Sequence, residues 1–212
     1  MIDLSQMEAL LYKAPLHEEE LLLIRGAKSD KRKQLFMQGR LAAHQALEKL
    51  GVQNHGPILR AERKRPLFQR GIVGSITHSD TTAAAIVGKE TDWRGLGIDI
   101  ENIFTSLEPA IIAKICGPSE RMFFESLLKA EQAKAATIFF SAKEAIYKCV
   151  FPVIETFFGF HDATLYPNED TSEIEVVLSP KIAAMLGDTI QLKVFAQTED
   201  KRVCTVATLS CL

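Results

Sequence analysis

The chain has 212 residues, of which 47% are hydrophobic and 25% are charged, and its formal net charge at pH 7 is −2. A chain of this size can bury a core of its own, and length alone permits one domain or two small ones. Its 4 cysteines form no CxxC pair with a partner set of histidines, which argues against a zinc finger, and no apolar run approaches the length of a membrane span. Because the first residues also lack the pattern of a secretory signal peptide, we expect a cytoplasmic protein with reduced thiols and no membrane partner.

The charge is unevenly divided along the chain. Residues 1–94 carry 15 lysine and arginine residues against 11 acidic ones, whereas residues 95–212 carry 10 against 16. Ten of the fifteen basic residues in the first part fall in two clusters: Lys28, Lys31, Arg32, Lys33 and Arg40, and then Arg60, Arg63, Lys64, Arg65 and Arg70. Such clusters are usually solvated surface, and the alternative is a site for the phosphates of a small ligand or for nucleic acid. Since few aromatic residues accompany them, we expect no nucleic-acid partner.

Helical and strand-like patterns alternate twice along the chain. A short helix over 18–25 and a longer one over about 30–50, capped by Ser29 or Asp30 and ended by Gly51, come first. Later helices begin at Pro118 and at about Glu131, and the last is expected to stop at Cys149 before Pro152. Strands are predicted after each helical part, at 58–61, 72–77, 82–87 and 96–100, and again at 163–166, 174–178, 190–196 and 203–209. This order predicts an α+β fold of two similar halves, residues 1–102 and 103–212.

Two short stretches carry the residues best suited to catalysis. Asp99 and Glu101, in the stretch GLGIDIE, are two residues apart and would point the same way from one strand. Glu144 and Lys148, in the stretch FSAKEAIYK, are four apart and would share one face of a helix. Three carboxylates and a lysine are the groups that a Mg²⁺ site for a phosphate-bearing substrate needs.

These two stretches resemble the signature motifs of the 4′-phosphopantetheinyl transferases. The stretch 74–79, GSITHS, resembles the third motif of that family, and the stretch 39–47, GRLAAHQAL, resembles its N-terminal helix. The four motifs occur in the family's order within residues 36–150. The chain also has about the length of the long type, which activates surfactin and enterobactin synthetases.

The resemblance implies a fold and a reaction. Family members consist of two similar α/β halves related by pseudo-twofold symmetry, with the active site between them. The N-terminal half would bind the phosphates of coenzyme A, and the C-terminal half would carry the metal and the catalytic helix. The enzyme would transfer the 4′-phosphopantetheine arm of coenzyme A to a serine of an apo acyl or peptidyl carrier protein, with Mg²⁺, and release 3′,5′-ADP. We expect a monomer that serves siderophore or other peptide synthetases, or related carriers, through an acidic helical carrier domain.

The resemblance also implies roles for the acidic motif and its lysine. Asp99, Glu101 and Glu144 would hold Mg²⁺, and Glu144 would also deprotonate the carrier serine, unless a Mg²⁺-bound water does so. Lys148 would neutralise charge on the phosphates. An ordinary helix ion pair between Lys148 and Glu144, worth about 0.3–0.5 kcal/mol, is compatible with that role.

Four further residues would contact coenzyme A by the same resemblance. Arg40 would face the 3′-phosphate, and Thr77 and His78 would contact phosphates at the end of a strand. Arg65 stands where the family often has lysine before proline, and arginine changes a point charge into a fork.

Other functions remain open on the sequence alone. The alternatives are a Mg²⁺-dependent enzyme acting on another pyrophosphate or nucleotide substrate, and a non-catalytic module that binds nucleic acid. Met122, Phe123 and Phe124 would either meet the carrier or form the core face of a helix, and we favour the core.

Overall fold

The computed structural model describes residues 16–61, 63, 65–79, 82–168, 171–188 and 190–211. Lys64 of the second basic cluster, and the first residues on which the signal-peptide expectation rests, lie outside these ranges. The chain divides into two compact units, Met1–Trp93 and Arg94–Leu212. In the described part, no helix combines the length and the apolar character that crossing a membrane requires.

The first unit packs one long helix against a hairpin. Ala43 and Leu47 of the helix form a small core with Ile58 and Ile72. The described elements are α1 (Glu18–Leu22), α2 (Asp30–Lys49), β1 (Leu59–Arg60), β2 (Pro66–Leu67), β3 (Ile72–His78) and β4 (Ala83–Lys89). Strands β1 and β2 form one antiparallel pair, and β3 and β4 form another.

The ends of α2 are set by the residues that the sequence pattern singled out. The side chain of Ser29 accepts a hydrogen bond from the amide of Arg32 at 3.4 Å, which satisfies one of the free amides of the first turn. Gly51 follows the helix with a φ of 84°, a left-handed conformation that glycine adopts without steric cost. The predicted helix over about 30–50 is confirmed.

The second unit is a five-stranded antiparallel sheet with a long helix packed on it. The sheet has the order β5–β9–β8–β7–β6. Its elements are β5 (Gly95–Asn102), α3 (Pro109–Ile115), α4 (Pro118–Ser126), α5 (Lys129–Ile154), a 3₁₀ turn (Phe160–Asp162), β6 (Ala163–Pro167), β7 (Glu173–Leu178), α6 (Pro180–Leu186), β8 (Ile190–Glu199) and β9 (Arg202–Cys211). Phe139, Ile146 and Val150 of α5 are fully buried in the main core, together with Val194 and Leu209 of the sheet. The described units are thus mixtures of helices and antiparallel strands, so the α+β prediction is confirmed.

The sequence-based division at residue 102 differs from the observed one by a single strand. Strand β5 pairs along its whole length with β9, from Gly95 opposite Leu209 to Asn102 opposite Arg202. It therefore belongs to the second unit, although the order of helices and strands along the chain assigned it to the first half.

The end of α5 also differs from the prediction. The helix continues through Pro152 to Ile154 instead of stopping at Cys149. Proline removes one amide donor near the end of the helix, but buried Val150 and Phe151 keep this last turn packed. Glu155 then ends the helix in a left-handed conformation, and its amide donates to the carbonyl of Phe151 at 2.8 Å.

The apolar triplet of α4 is divided between core and surface. Phe124 is buried and Phe123 packs against the main core, as expected for a core face. Met122, in contrast, is 73% exposed. An exposed methionine beside two packed aromatic residues follows from the helical period, which turns adjacent positions through 100°.

Candidate active site

Two glycines of β5 bring the strand unusually close to α5. A methyl group added at Gly97 would collide with the carbonyl oxygen of Ala145, and one added at Gly95 would collide with the carbonyl oxygen of Cys149. Side chains two residues apart share a strand face, so Asp99 is the next residue on this glycine face. The G-x-G spacing in the sequence therefore has a structural reason: it lets the helix backbone lie directly on the strand that carries the carboxylates.

Asp99 and Lys148 are joined by a short ion pair across this contact. The Nζ of Lys148 donates to Oδ1 of Asp99 at 2.6 Å and to the carbonyl of Ile98 at 3.2 Å. The side chain of Asp99 is 5% exposed and that of Lys148 is 28% exposed. The carboxylate of the pair is thus shielded from solvent, whereas the lysine side chain is partly exposed.

Glu144 lies one helical turn before Lys148 and is half-buried. Burial raises the pKa of its carboxyl group, Lys148 lowers it, and the negative charge of Asp99 raises it further, with a net increase. Asp99 and Glu144 are therefore close enough to repel each other, as expected of two carboxylates that share a site.

The donor set fits a hard divalent cation. Asp99 and Glu144 offer carboxylate oxygens and oppose each other electrostatically, and a cation between such groups removes the repulsion. Glu101, half-buried, follows Asp99 on the same strand face. Asp99, Glu101 and Glu144 are thus the residues that could hold Mg²⁺, which prefers a few carboxylates together with water and substrate oxygens.

The first unit contains a basic pocket of about 500 Å³. Its walls come from the start and middle of α2 and from the strands β1 to β3. The lining residues are Ser29, Lys31, Arg32, Leu35, Phe36, Gly39, Arg40, Arg60, Pro66, Ile76 and His78. Four permanent cations and the N-terminal turn of a 20-residue helix meet here, and both favour a bound anion.

Arg40 is the most buried cation of this pocket. It is 5% exposed, and its Nη2 donates to the carbonyl of Leu59 at 3.2 Å. Its Nε has no hydrogen-bond partner among the described residues, although it lies 3.8 Å from Oε1 of Glu20. Burial lowers the pKa of Arg40 to about 10, Glu20 opposes that shift, and Arg60 adds to it. The guanidinium is therefore still charged at neutral pH, and an anion in the pocket would complete its hydrogen bonding.

Arg40 and Arg60 share one aromatic ring. Their guanidinium carbons lie 4.6 and 4.7 Å from the centroid of the Phe36 ring, within the range of cation–π contacts. Arg60 also donates to the carbonyl of Leu23 at 3.5 Å. Phe36 therefore holds two like charges near each other, and a bound anion would reduce the repulsion between them.

The sequence-predicted contacts for coenzyme A are only partly brought together in this pocket. Arg40 and His78 both line it. Thr77 is buried and lies on the opposite face of β3, since neighbouring strand residues point to opposite sides. Arg65 is half-buried just before β2 and is not among the lining residues.

Sequence reasoning missed three cations of this pocket as individual site residues. Lys31, Arg32 and Arg60 belong to the two basic clusters. This clustering was the feature of the sequence that could have indicated their place in an anion-binding pocket. What the sequence could not provide is the fold that sets the first turn of α2 opposite β1. Only this proximity separates these three cations from the solvated members of the same clusters.

The sequence matches two protein-family models that together span most of the chain. Residues 17–88 match the 4′-phosphopantetheinyl transferase N-terminal domain, and residues 95–207 match the 4′-phosphopantetheinyl transferase superfamily.

Named relatives and a solved structure carry related descriptions. The 4′-phosphopantetheinyl transferase PptT of Mycobacterium tuberculosis is 35% identical over 158 residues, which cover 74% of this chain and 67% of that protein. Enterobactin synthase component D of Salmonella typhimurium is 31% identical over 185 residues, 85% of this chain and 74% of that protein. A holo-(acyl-carrier-protein) synthase from Bacillus anthracis aligns with a TM-score of 0.46 at 16% identity, over 57% of this chain and 99% of that chain. By the family descriptions and by these relatives, the chain belongs to the 4′-phosphopantetheinyl transferase superfamily and is an enzyme of that family.

Proposed function

We propose that this protein transfers the 4′-phosphopantetheine arm of coenzyme A to a serine of an apo carrier protein, in a Mg²⁺-dependent reaction that releases 3′,5′-ADP. The observation that carries the proposal is the contact between β5 and α5, where Asp99, Glu144 and Lys148 converge. Membership of the superfamily supplies the class of reaction.

The reaction is a phosphoryl-type displacement that balances without a redox partner. The serine Oγ forms a bond to the phosphorus that carries the pantetheine arm. The bond from that phosphorus to the bridging oxygen of the pyrophosphate breaks, and 3′,5′-ADP leaves. Catalysis of this kind depends mainly on positioning and on neutralisation of charge.

Glu144 is the residue proposed to accept the serine proton. Its pKa is raised by burial and by Asp99, so its carboxylate is a stronger base than an exposed glutamate.

The charge of the pyrophosphate requires cations on the site. Asp99, Glu101 and Glu144 would hold Mg²⁺, which would neutralise pyrophosphate oxygens when bound. Lys148 contributes a permanent positive charge next to Asp99. Because Asp99 already fixes the ammonium at 2.6 Å, Lys148 needs little rearrangement to meet a phosphate.

The basic pocket of the first unit is proposed to bind the 3′-phosphate of the nucleotide. Arg40, Lys31 and Arg60 supply charge, His78 supplies a further donor, and the start of α2 supplies backbone amides. Arg40 has the strongest reason to bind an anion because its buried Nε makes no hydrogen bond within the described residues.

The carrier is proposed to be a peptidyl carrier of a siderophore synthetase or a related carrier. The support is the similarity to enterobactin synthase component D. A comparison of kcat/KM for apo peptidyl carrier and apo fatty-acid carrier tests this choice. A preference for the fatty-acid carrier would overturn the siderophore assignment without affecting the transfer reaction.

The first experiment is intact mass spectrometry of an apo carrier incubated with the protein, coenzyme A and Mg²⁺. We expect the carrier to gain one phosphopantetheine, and the gain to disappear with EDTA. Glu144→Gln keeps the size of the side chain but removes the base and a metal oxygen, so its rate should fall by about 10²-fold or more. Glu131→Gln, an exposed glutamate on the same helix, is the matched control and should react at the rate of the parent protein.

The alternative function is action on another pyrophosphate or nucleotide substrate. Folded protein that modifies none of the peptidyl, polyketide and fatty-acid carriers would refute the transferase proposal and favour this alternative. A Glu144→Gln variant as active as the parent would instead refute the role given to Glu144.

The pocket assignment has its own test, based on coenzyme A that lacks the 3′-phosphate. Arg60→Gln should weaken binding of coenzyme A by about tenfold, as for loss of one charge-assisted contact of about 1.4 kcal/mol. The same variant should bind 3′-dephospho-coenzyme A as the parent does. Equal losses with the two ligands would show that Arg60 does not meet the 3′-phosphate.

A further inference from the structure

Three histidines of the first unit converge on one point outside the basic pocket. His17 precedes α1, His44 lies on α2 and His55 lies in the loop before β1. Each offers a ring nitrogen, and the three nitrogens lie within 4.8 Å of one another. The ring of His44 is central, with its centroid 5.4 Å from that of His17 and 4.7 Å from that of His55.

The spacing suits a tetrahedral transition metal. Two imidazole nitrogens bound to one zinc at 2.0–2.1 Å lie about 3.3 Å apart. Nδ1 of His44 and Nδ1 of His55 are 2.9 Å apart, so this pair is within a few tenths of an ångström of the spacing in a ligated site, and all three histidine nitrogens lie within 4.8 Å. His55 lies in a loop and is half-buried, so it can make that adjustment without disturbing a helix.

A fully buried carboxylate fixes the central histidine in the tautomer that a metal requires. Glu20 is 0% exposed, and its two oxygens lie 2.9 and 3.0 Å from Nε2 of His44. It also accepts from the amide of Ile58 at 2.9 Å and from that of His17 at 3.1 Å. A carboxylate in this position accepts a hydrogen bond from the Nε2–H group of His44, which leaves the lone pair of Nδ1 directed at His55. Metal-binding histidines commonly have such a carboxylate partner.

We propose that His17, His44 and His55 bind a divalent transition metal of the zinc class, with the fourth position left to water or another small ligand. Imidazole nitrogen favours zinc, cobalt, nickel or copper over Mg²⁺, so this site and the carboxylate site take different ions. The charge of the ion is balanced in part by Glu20, while Arg40 lies 3.8 Å from the same carboxylate. A bound ion would tie the start of α1, the middle of α2 and the loop before β1 to one another.

The test uses the full chain, prepared without a histidine tag and freed of transition metals. Excess Mg²⁺ is present throughout so that it competes for the carboxylate site. Cobalt(II) is added as the probe because its visible absorption reports tetrahedral nitrogen coordination, and zinc is then added to displace it. We expect one cobalt per chain, displacement by zinc, and a rise of Tm with zinc, since an ion that binds the folded state stabilises it.

Variants separate this site from other histidines and from the carboxylates. His55→Gln and His17→Gln each remove one ligand while leaving the contact between His44 and Glu20. Loss of a partner that only supports a ligand costs 10–100-fold in metal affinity, so loss of a ligand should cost at least about tenfold. His161→Gln, an exposed histidine of the second unit, is the matched control and should bind as the parent does. Circular dichroism verifies that each variant is folded.

Two results would overturn the proposal. One is the lack of stoichiometric cobalt binding by the folded parent protein, which would mean that the three histidines form only a hydrogen-bonded cluster. The other is cobalt binding that survives His55→Gln unchanged but disappears in Asp99→Asn, which would place the ion on the carboxylates. Retention of the tetrahedral spectrum in Asp99→Asn, together with its loss in His55→Gln, would support the proposal.

Discussion

Lys143, next to Glu144 on α5, forms a buried ion pair whose loss should be severe. Its Nζ lies 2.7 Å from Oε2 of Glu120 and donates to the carbonyl of Ile115, also at 2.7 Å. The side chains of Lys143 and Glu120 are each 1% exposed. Glu120 also accepts from the amides of Gly117 at 2.6 Å and Leu165 at 2.9 Å, so it joins α4, α5 and β6. We predict that Lys143→Met strongly destabilises the second unit.

The magnitude follows from what the substitution leaves behind. Methionine fills most of the volume of the lysine, so the main cost is the uncompensated buried charge of Glu120. Removing one partner of a buried pair typically costs 3–5 kcal/mol in free energy of unfolding. For a chain of this size, that corresponds to a decrease in Tm of roughly 6–20 °C.

The assay is urea unfolding followed by circular dichroism at neutral pH, with Lys134→Met, an exposed lysine of the same helix, as the matched control. The double variant Lys143→Met with Glu120→Gln should be more stable at neutral pH than Lys143→Met alone, because glutamine carries no charge and its single oxygen can still accept from one of the two amides. A Lys143→Met variant whose free energy of unfolding falls by less than about 1 kcal/mol would refute the reasoning.

Three further predictions concern packing, protonation and the thiols. Gly97→Ala places a methyl group against the carbonyl of Ala145, so it should lower the free energy of unfolding by about 1–3 kcal/mol and slow transfer. The control is Gly159→Ala, at an open position, which should change the free energy of unfolding by less than about 0.5 kcal/mol. The rate of transfer should fall as the pH drops through the raised pKa of Glu144. If the rate instead falls only at the pH where an exposed glutamate is protonated, Glu144 is not the general base. Burial raises the pKa of Cys116 to about 11 and that of Cys149 still further, so neither thiol should react with iodoacetamide in the native protein. Peptide mass mapping before and after denaturation measures this, and alkylation of either cysteine in the native protein would contradict the prediction.

The fold was predictable to the extent that local pattern decides it. The long helix α2 follows from Ser29, an amphipathic stripe and Gly51, and its observed bounds are within a residue or so of the prediction. The short helices α3 and α6 were missed, since each has only seven residues and too few turns to show a helical period. The predicted end of α5 at Cys149 was wrong because the rule that proline ends a helix takes no account of how well the final turn is packed.

The acidic motif was the most predictable part of the site. Strand alternation and helical spacing placed Asp99 and Glu144 on defined faces, but the ion pair between Asp99 and Lys148 depends on how closely α5 lies on β5. The close approach of α5 to β5 depends on Gly95 and Gly97. The two glycines are visible in the sequence, but the sequence does not show which element packs against them. The histidine cluster was less accessible, since its members are 27 and 11 residues apart and are joined by Glu20, which carries no motif.

The pairing of β5 with β9 has a consequence for how the carboxylate site comes into being during synthesis. These strands lie at the two ends of the second unit, with about a hundred residues between them. Contacts of such high sequence separation form late, because closing a long loop costs entropy before any pairing is gained. The strand bearing Asp99 leaves the ribosome long before β9, which later becomes its neighbour in the sheet. The growing chain therefore carries Asp99 without its neighbouring strand until β9 has been made, and we expect activity only after this last strand has joined the first strand of the unit.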